Sequence, residues 1–535
     1  MTPPTALTNA LKLLALTAAA AAVLTACGGG GGTGAATGGI EQPATPAATS
    51  ASFAQQCASD NPFVADASSS TTAGTLSTEK QWIRSYLDET YLWYDSIPAV
   101  NAAAASYSGS MALLDSGGVP LPLGNYFNAL KTRLTTPSGA LADRFSFAYP
   151  TKEWRQLAQS GVTAGYGIEW VAINRSAPNR LWRVAVVQPN SPALAAGIMR
   201  GDTIKTVDGI DYGSSSDSAA LNAGIYPASG STHTLVFTRS GSPDVVAKLT
   251  GSAAVTIDPV PLATVVTDPL GRKVGYLHFT DHFGTSEAKL INAITTLQAQ
   301  NVSDLVLDMR YNGGGYLYIA SELAYMIAGP SHVSGKYFEK LQFNAKRSAD
   351  NAQEATPFYN ESCGPDANGN CVSPQALPSL NLARVFVITT NDTCSASESV
   401  INGLMGVNVD VQLIGGTTCG KPYGFTPRDN CGVSYFPIEF KGVNFKGFGD
   451  YADGFAPTSG SASGANLAGC PSTDDLDTVL GKPTERMLNA ALQRAAYGTC
   501  PAASMATRQS VLPMGRLQRS PTREMRLLLP AGGQR

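Results

Sequence analysis

The hydrophobic pattern changes period along the chain, and each change marks a boundary. Leu11 to Val23 is one continuous apolar run rich in Leu and Ala, too short to span a membrane comfortably as a helix. Trp82, Tyr86, Leu87, Tyr91 and Tyr94 then recur at helical spacing, behind Thr78 and Gln81 placed as a capping box. An aromatic stripe of this kind is core. Apolar helical segments continue to about Leu141, which predicts a small helical unit over 75–159. From Ser160 to about Val255 the pattern shortens to strand-length runs, among them Glu169-Trp170-Val171 and Trp182 to Val187. From Val274 to about Cys500 apolar strands alternate with helical stretches, which predicts an α/β unit with at least part of its sheet parallel. The expected fold class is therefore multidomain α+β: a helical unit, a β-rich unit over 160–255 and an α/β core over 256–500.

Three strand–loop–helix units stand out within that core. Asp304 to Arg310 is a buried strand, followed by Asn312-Gly313-Gly314-Gly315 and a helix from Tyr316 to Ala328. Arg384 to Thr389 is a second strand, leading through Asn391-Asp392-Thr393-Cys394 into a helix from Ser395. Val409 to Ile414 is a third, ending in Gly415-Gly416-Thr417-Thr418-Cys419-Gly420-Lys421. If these strands are parallel neighbours, their loops open on one sheet edge, where open α/β sheets place their sites. Ser395 is a poor nucleophile until a base takes its proton. Lys421 can be that base only when neutral, which needs burial and few nearby anions. Its neighbours Gly420, Pro422, Tyr423 and Phe425 are of that kind, and the glycine loop offers amides suited to a developing oxyanion. Taken singly, each feature has a plainer meaning: a capping box from Ser395 to Glu398, a tight turn at Gly313 to Gly315, a solvated Lys421. Their combination favours chemistry. His278 and His282, flanking Asp281, read as packed or exposed histidines rather than a catalytic or metal pair.

The chain has 535 residues, 43% hydrophobic and 14% charged, which excludes wholesale disorder. Its net charge of −3 gives no reason to expect a nucleic-acid partner. Leu24-Thr25-Ala26-Cys27, closing the apolar run, resembles a bacterial lipoprotein cleavage box. That implies a signal peptide over 1–27, a lipid on Cys27 anchoring the chain to a membrane of the bacterial cell envelope, and a flexible Gly/Ala/Thr/Pro-rich tether over 28–74. An ordinary secretory peptide cut near Ala26 is the alternative. Eight further cysteines in an exported chain favour disulfides, Cys363 with Cys371 being the natural local pair. No CxxC pair occurs, so no metal or other cofactor is expected. After Cys500 the chain carries six Arg against one Glu, and 501–535 reads as a basic, disordered tail.

Leu305 to Gly315, Ser395-Ala396-Ser397-Glu398 and Thr418-Cys419-Gly420-Lys421 resemble, in order, three segments of the carboxyl-terminal processing (tail-specific) serine proteases. The likeness covers roughly residues 75 to 500. It implies a crotonase-like catalytic core with Ser395 as nucleophile and Lys421 as base. The N–H groups of Gly314 and Ala396 would form the oxyanion hole. Between helical unit and core, Gly165-Tyr166-Gly167-Ile168 and the segments after it resemble a PDZ domain. Such a loop would hold the terminal carboxylate of a protein or peptide substrate, and the following strand would offer an edge to its backbone. The sequence departs from the family pattern at Phe425, where many relatives carry a Gln that orients the lysine. Pro422 also replaces a common Gly, and the Ser-to-Lys spacing is about one residue longer than usual. The expected function is an exported serine endopeptidase; the alternatives are a catalytically silent peptide-binding lipoprotein and a crotonase-like acyl-binding enzyme.

Overall fold

In the computed structural model, residues 48–115, 117–352, 355–365, 371–502, 516–518 and 526–528 are described. The signal segment, Cys27 and most of the tether lie outside them. Residues 48–74, expected to close the tether, are folded: Gln56–Ala58 pairs in parallel with Thr72–Gly74, and Cys57 is disulfide-bonded to Cys431.

Helix α1 (Leu76–Thr90) starts before the sequence pattern predicts. Thr75 is its N-cap, accepting from the Thr78 amide at 3.2 Å, while Thr78 Oγ1 accepts from the Thr75 amide at 2.7 Å. Thr78 is thus the third helical residue of the box and not its cap: the aromatic stripe marks where the helix is buried, not where it begins. After α2 (Leu121–Ala129), β1 (Phe147–Pro150) and α3 (Thr151–Ser160) complete the helical segment. Trp82, Tyr86, Leu123 and Phe127 share one core with Phe425, Tyr435 and Phe436. Residues 75–160 therefore lean on the chain that carries Lys421.

The β-rich stretch contains β2 (Ile168–Asn174), β3 (Leu181–Val187), β4 (Thr203–Val207), α4 (Ser218–Ile225), β5 (Thr232–Arg239) and β6 (Ser242–Thr250), with sheet order β6-β5-β4-β3-β2. Alternation splits β2 between two faces. Trp170 enters the unit's own core with Val184, Leu235 and Phe237, while Val171 faces Tyr311 and Leu476 of the α/β part.

The α/β part follows with β7 (Leu262–Thr267), β8 (Lys273–His278), α5 (Ser286–Ala299), β9 (Asp304–Asp308), β10 (Gly314–Tyr316), α6 (Leu317–Ala328), β11 (Arg384–Thr389), α7 (Ala396–Gly406), β12 (Asp410–Gly415), β13 (Val433–Phe436), β14 (Ala456–Thr458), β15 (Asn466–Pro471) and α8 (Arg486–Tyr497). The main sheet runs β7-β8-β9-β11-β12-β15-β14, parallel throughout except at β7/β8. Leu305, Leu307, Val385, Val387 and Leu413 pack under α5, α6 and α7 against Leu290, Ile294, Leu323 and Leu404. Val306, Phe386, Ile388 and Ile414 face the other way, onto Met487, Leu488 and Leu492 of α8. Burial on both faces is why these strands read as unbroken apolar runs.

Cys363–Cys371, Cys394–Cys419 and Cys470–Cys500 are the remaining disulfides. Two pieces of the tail depart from its reading as disordered: Arg516–Gln518 (β16) and Arg526–Leu528 (β17) form strands, pairing with β2 and β10. Among the described residues, no helix is long and apolar enough to cross a membrane.

Candidate active site

In-register pairing of Asp308 with Ile388, and of Thr389 with Gly415, ends β9, β11 and β12 at one sheet edge. Their loops are then tied together. Thr393 Oγ1 donates to Met309 O at 2.8 Å, the Cys419 amide donates to Thr393 O at 3.0 Å, and Cys394–Cys419 joins the Ser395 loop to the Lys421 loop covalently. Cys394, Cys419 and Glu398 sit within ligand distance of one another, but the disulfide removes the thiolates a metal would need.

Ser395 occupies a conformation that side chains avoid, with φ 62° and ψ −117°. Such backbone costs about 1–3 kcal/mol and persists only where the surroundings over-determine it. Here the Ser395 amide donates to Glu398 Oε2 at 2.9 Å, and the Cys394 amide and Ser397 Oγ both donate to Asn312 O at 3.0 Å. Ser395 Oγ is buried and forms no hydrogen bond within the described residues. Ala396 opens α7, where first-turn amides lack intrahelical acceptors.

Two side chains that the sequence reading left in minor roles organise the site. Glu398 accepts the amides of Ser395 (2.9 Å) and Lys421 (2.8 Å) on the same oxygen, Oε2, and the Gly420 amide (2.8 Å) and Thr418 Oγ1 (2.5 Å) on Oε1. Burial raises its pKa, and these donors act against that rise. Its capping-box position was visible in the sequence; its bonds to the Lys421 loop were not. Asn312 is the second hub. Its Nδ2 donates to Phe279 O at 3.1 Å, so Oδ1 is the acceptor for the Gly314 amide at 3.0 Å and for His282 Nδ1 at 3.0 Å. Burial pushes the His282 imidazole down to about 3, leaving it neutral as a prop behind the glycine loop. His278 is likewise buried and pushed down to about 4. Gly315, at φ 147°, has no room for a side chain: a Cβ there would lie 2.4 Å from His282 O.

The Lys421 side chain is buried, with Nζ 4.1 Å from the centroid of the Phe425 ring and 5.5 Å from that of Phe145. Phe425, the departure from the family pattern, is thus the lysine's own contact. Arg144 closes the outside of this loop through Nη2, which donates to Cys419 O at 2.8 Å and Ala452 O at 3.1 Å.

Beneath the glycine loop lies Arg310, wholly buried. It makes a forked bond to Asp308 and donates to Asp474 (2.7 Å) and to both oxygens of Glu485 (2.9 and 3.0 Å). Arg200 adds a second cation, 2.8 Å from Asp474. Burial would raise the Asp308 and Asp474 carboxyls, but the guanidinium charges hold both below the usual range.

The Gly165-Tyr166-Gly167-Ile168 loop lines a separate cavity of about 160 Å³, bordered also by Gln188, Ile225 and Tyr226 and by none of the three loops above. Gly167, at φ 79°, is required there: a Cβ would lie 2.4 Å from that of Ser191.

Residues 273–429, which hold the glycine loop, Ser395 and Lys421, match the model of peptidase family S41. This stretch of the chain carries a peptidase family S41 domain. Its S41 homologues are serine-type peptidases. A carboxyl-terminal-processing protease of Picosynechococcus sp. is 31% identical over 196 residues, 34% of this chain and 44% of that protein. The chloroplastic carboxyl-terminal-processing peptidase 1 of Arabidopsis thaliana is 24% identical over 283 residues, 53% of this chain and 52% of its own length. The chain thus spans about half the length of these curated relatives. A Bacteroides fragilis protein assigned to the S41 proteases shares the fold, with a TM-score of 0.56 and 24% identity over 78% of this chain and 97% of that one.

Glu398 ties the Ser395 loop to the Lys421 loop, so under the function proposed below its loss should be felt in turnover. Glu398→Ala leaves three amides and a hydroxyl without their acceptor, and an ångström of misplacement costs about 10²-fold in rate. The expected result is a fall of about that size in kcat with KM for a short peptide little changed. An unchanged kcat would show that the carboxylate only caps α7.

Proposed function

We propose that this chain is an exported endopeptidase that cleaves protein chains with Ser395 as nucleophile and Lys421 as general base. The observation that carries the proposal is the Ser395 backbone, forced to φ 62° at the head of α7 and tied through Glu398 to the amide of a buried lysine. Lys421, as the neutral amine, takes the Ser395 proton while Oγ attacks the scissile carbonyl. It returns that proton to the leaving amine, and water then hydrolyses the acyl-enzyme. The tetrahedral oxyanion meets the amides of Ala396 and the glycine loop. The Gly314 amide donates to Asn312 Oδ1 in this structure, so the oxyanion competes with that acceptor for it. Incubation with an unfolded protein tests the reading: the wild-type chain should cleave it and Ser395→Ala should not. Phe425 at the position of the orienting Gln favours one rival, a silent peptide-binding relative, and uncleaved substrate in both samples would support it.

In this proposal residues 160–255 act as a PDZ-like unit beside a crotonase-like core. The cavity at Gly165 to Ile168 and the edge of β2 suit a substrate's terminal carboxylate and the backbone leading to it. Amidating a substrate's carboxyl terminus should therefore lower kcat/KM about tenfold, in line with the loss of one charge-assisted contact. Equal cleavage of the acid and the amide would reject terminal recognition.

Export and lipidation at Cys27 complete the proposal. Disulfides at Cys57–Cys431 and Cys470–Cys500 fit an oxidising compartment. Cys27→Ala should move the protein from the membrane to the soluble fraction. A wild-type chain that is already soluble and carries no lipid by mass spectrometry would refute the anchor.

A further inference from the structure

Among the described residues, six beyond Cys500 form strands, and both strands lie along the path that the proposed function assigns to substrate. Arg516–Gln518 (β16) joins the open edge of β2 in antiparallel register, Arg516 opposite Ala172, Leu517 opposite Val171 and Gln518 opposite Trp170. It runs toward the Gly165–Ile168 loop, the direction in which a chain end would be delivered there, and Gln518 borders the loop's cavity. Leu517 is 3% exposed, packed with Val171, Val186, Tyr311 and Leu476. Its amide donates to Asp392 Oδ2 at 2.8 Å, three positions before Ser395. Arg526–Leu528 (β17) pairs in parallel with Gly314–Tyr316 of the glycine loop. It also lies against α7 and the strand Tyr423–Gly424, between the helix that Ser395 opens and the loop that carries Lys421.

We propose that the chain's own carboxyl-terminal tail is a tethered, substrate-like occupant of this peptide path, added as a strand first at the edge of β2 and then at the glycine loop. Strand addition through the backbone makes few demands on side chains, so a tail with no strand signal in its sequence can use an edge built for many different chains. Covalent attachment supplies an effective concentration on the order of millimolar, so even weak docking of each piece keeps the path largely filled. The tail then acts as a competitor in cis: a free substrate must displace it, which raises the apparent KM and leaves turnover at saturation unchanged. Placing β17 in a substrate path rests on the endopeptidase reading; the docking itself does not.

Two full-length variants test the inference. Leu517→Asp puts a charge into the buried contact under β2. Leu527→Pro disrupts strand pairing at the glycine loop through the backbone alone, and keeps the test open if Leu517→Asp lowers the melting temperature. Hydrogen exchange in the Ser395→Ala background reads docking without activity. Residues 168–174 should lose about tenfold protection in Leu517→Asp, and residues 314–316 a similar factor in Leu527→Pro. In the Ser395 chain each variant should lower KM for an unfolded protein about tenfold with kcat nearly constant, and a synthetic peptide of residues 512–530 should restore the wild-type KM. Unchanged protection in both variants would overturn the proposal, as would unchanged KM in variants that do cleave. Altered protection in a chain that cleaves nothing would sustain the docking and refute the endopeptidase reading instead.

Discussion

Ser395→Ala and Lys421→Met should each lose cleavage of an unfolded protein by a factor on the order of 10⁵ or more while staying folded, and the double variant should be no worse than either. In the proposed dyad nucleophile and base act as one unit, so removing the second has nothing left to remove. Met keeps the length of the lysine stem between Phe425 and Phe145 and removes only the amine. Lys421→Arg should fail as fully, because a guanidinium stays protonated and cannot accept the serine proton. His282→Gln should cost far less: His282 supports Asn312 from behind the glycine loop, and its imidazole is a neutral prop. Near-normal turnover by Lys421→Arg would end the case for lysine as the base.

Arg310→Met should produce the largest loss of stability of any substitution considered. It leaves Asp308 and Glu485 buried around a thioether, with Arg200 the cation that stays beside Asp474, and breaking a buried ion pair by removing one partner costs about 3–5 kcal/mol. The pH dependence carries a sign. In the wild type, Asp308 and Asp474 are held below their ordinary range, so their contribution is present above the unfolded carboxylate pKa of about 3.9 and is lost as pH falls. Without Arg310, Asp308 keeps its burial and loses the main charge that offsets it, so its folded carboxyl titrates above that value, while Arg200 still faces Asp474. The variant should then lose stability as pH rises from about 5 to about 7.5, a window in which these groups cost the wild type nothing. Urea unfolding at the two ends of that range measures both effects. A variant within about 1 kcal/mol of wild type at neutral pH would show that Arg310 is not what holds the carboxylates under the glycine loop.

What the sequence made legible, and what it hid, follows from the range of the interactions. The strand over Arg384–Thr389 was readable to the residue because both its faces are buried and its ends are polar. The parallel order of β9, β11 and β12 then brought three distant loops to one edge. The hubs were hidden because their partners are remote. Asn312 meets His282 and Phe279, Arg310 meets Asp474 and Glu485, and no period in the sequence links such positions. The helical segment looked separate for the same reason, since its aromatic stripe packs on residues about 350 positions later. Thr75 escaped notice because a cap lies outside the apolar stripe that announces its helix. The tail strands had no signal: each is three residues long, and the partners of both are remote in sequence, as is the core that Leu517 joins.

The measurement that bears most directly on the account is covalent labelling by a serine-reactive fluorophosphonate, mapped by mass spectrometry in the wild-type, Lys421→Met and Lys421→Arg chains. The account predicts a single adduct on Ser395 in the wild type, formed at least about a hundredfold more slowly in both lysine variants. An adduct on another residue, or equal labelling of Ser395 without the lysine, would contradict it.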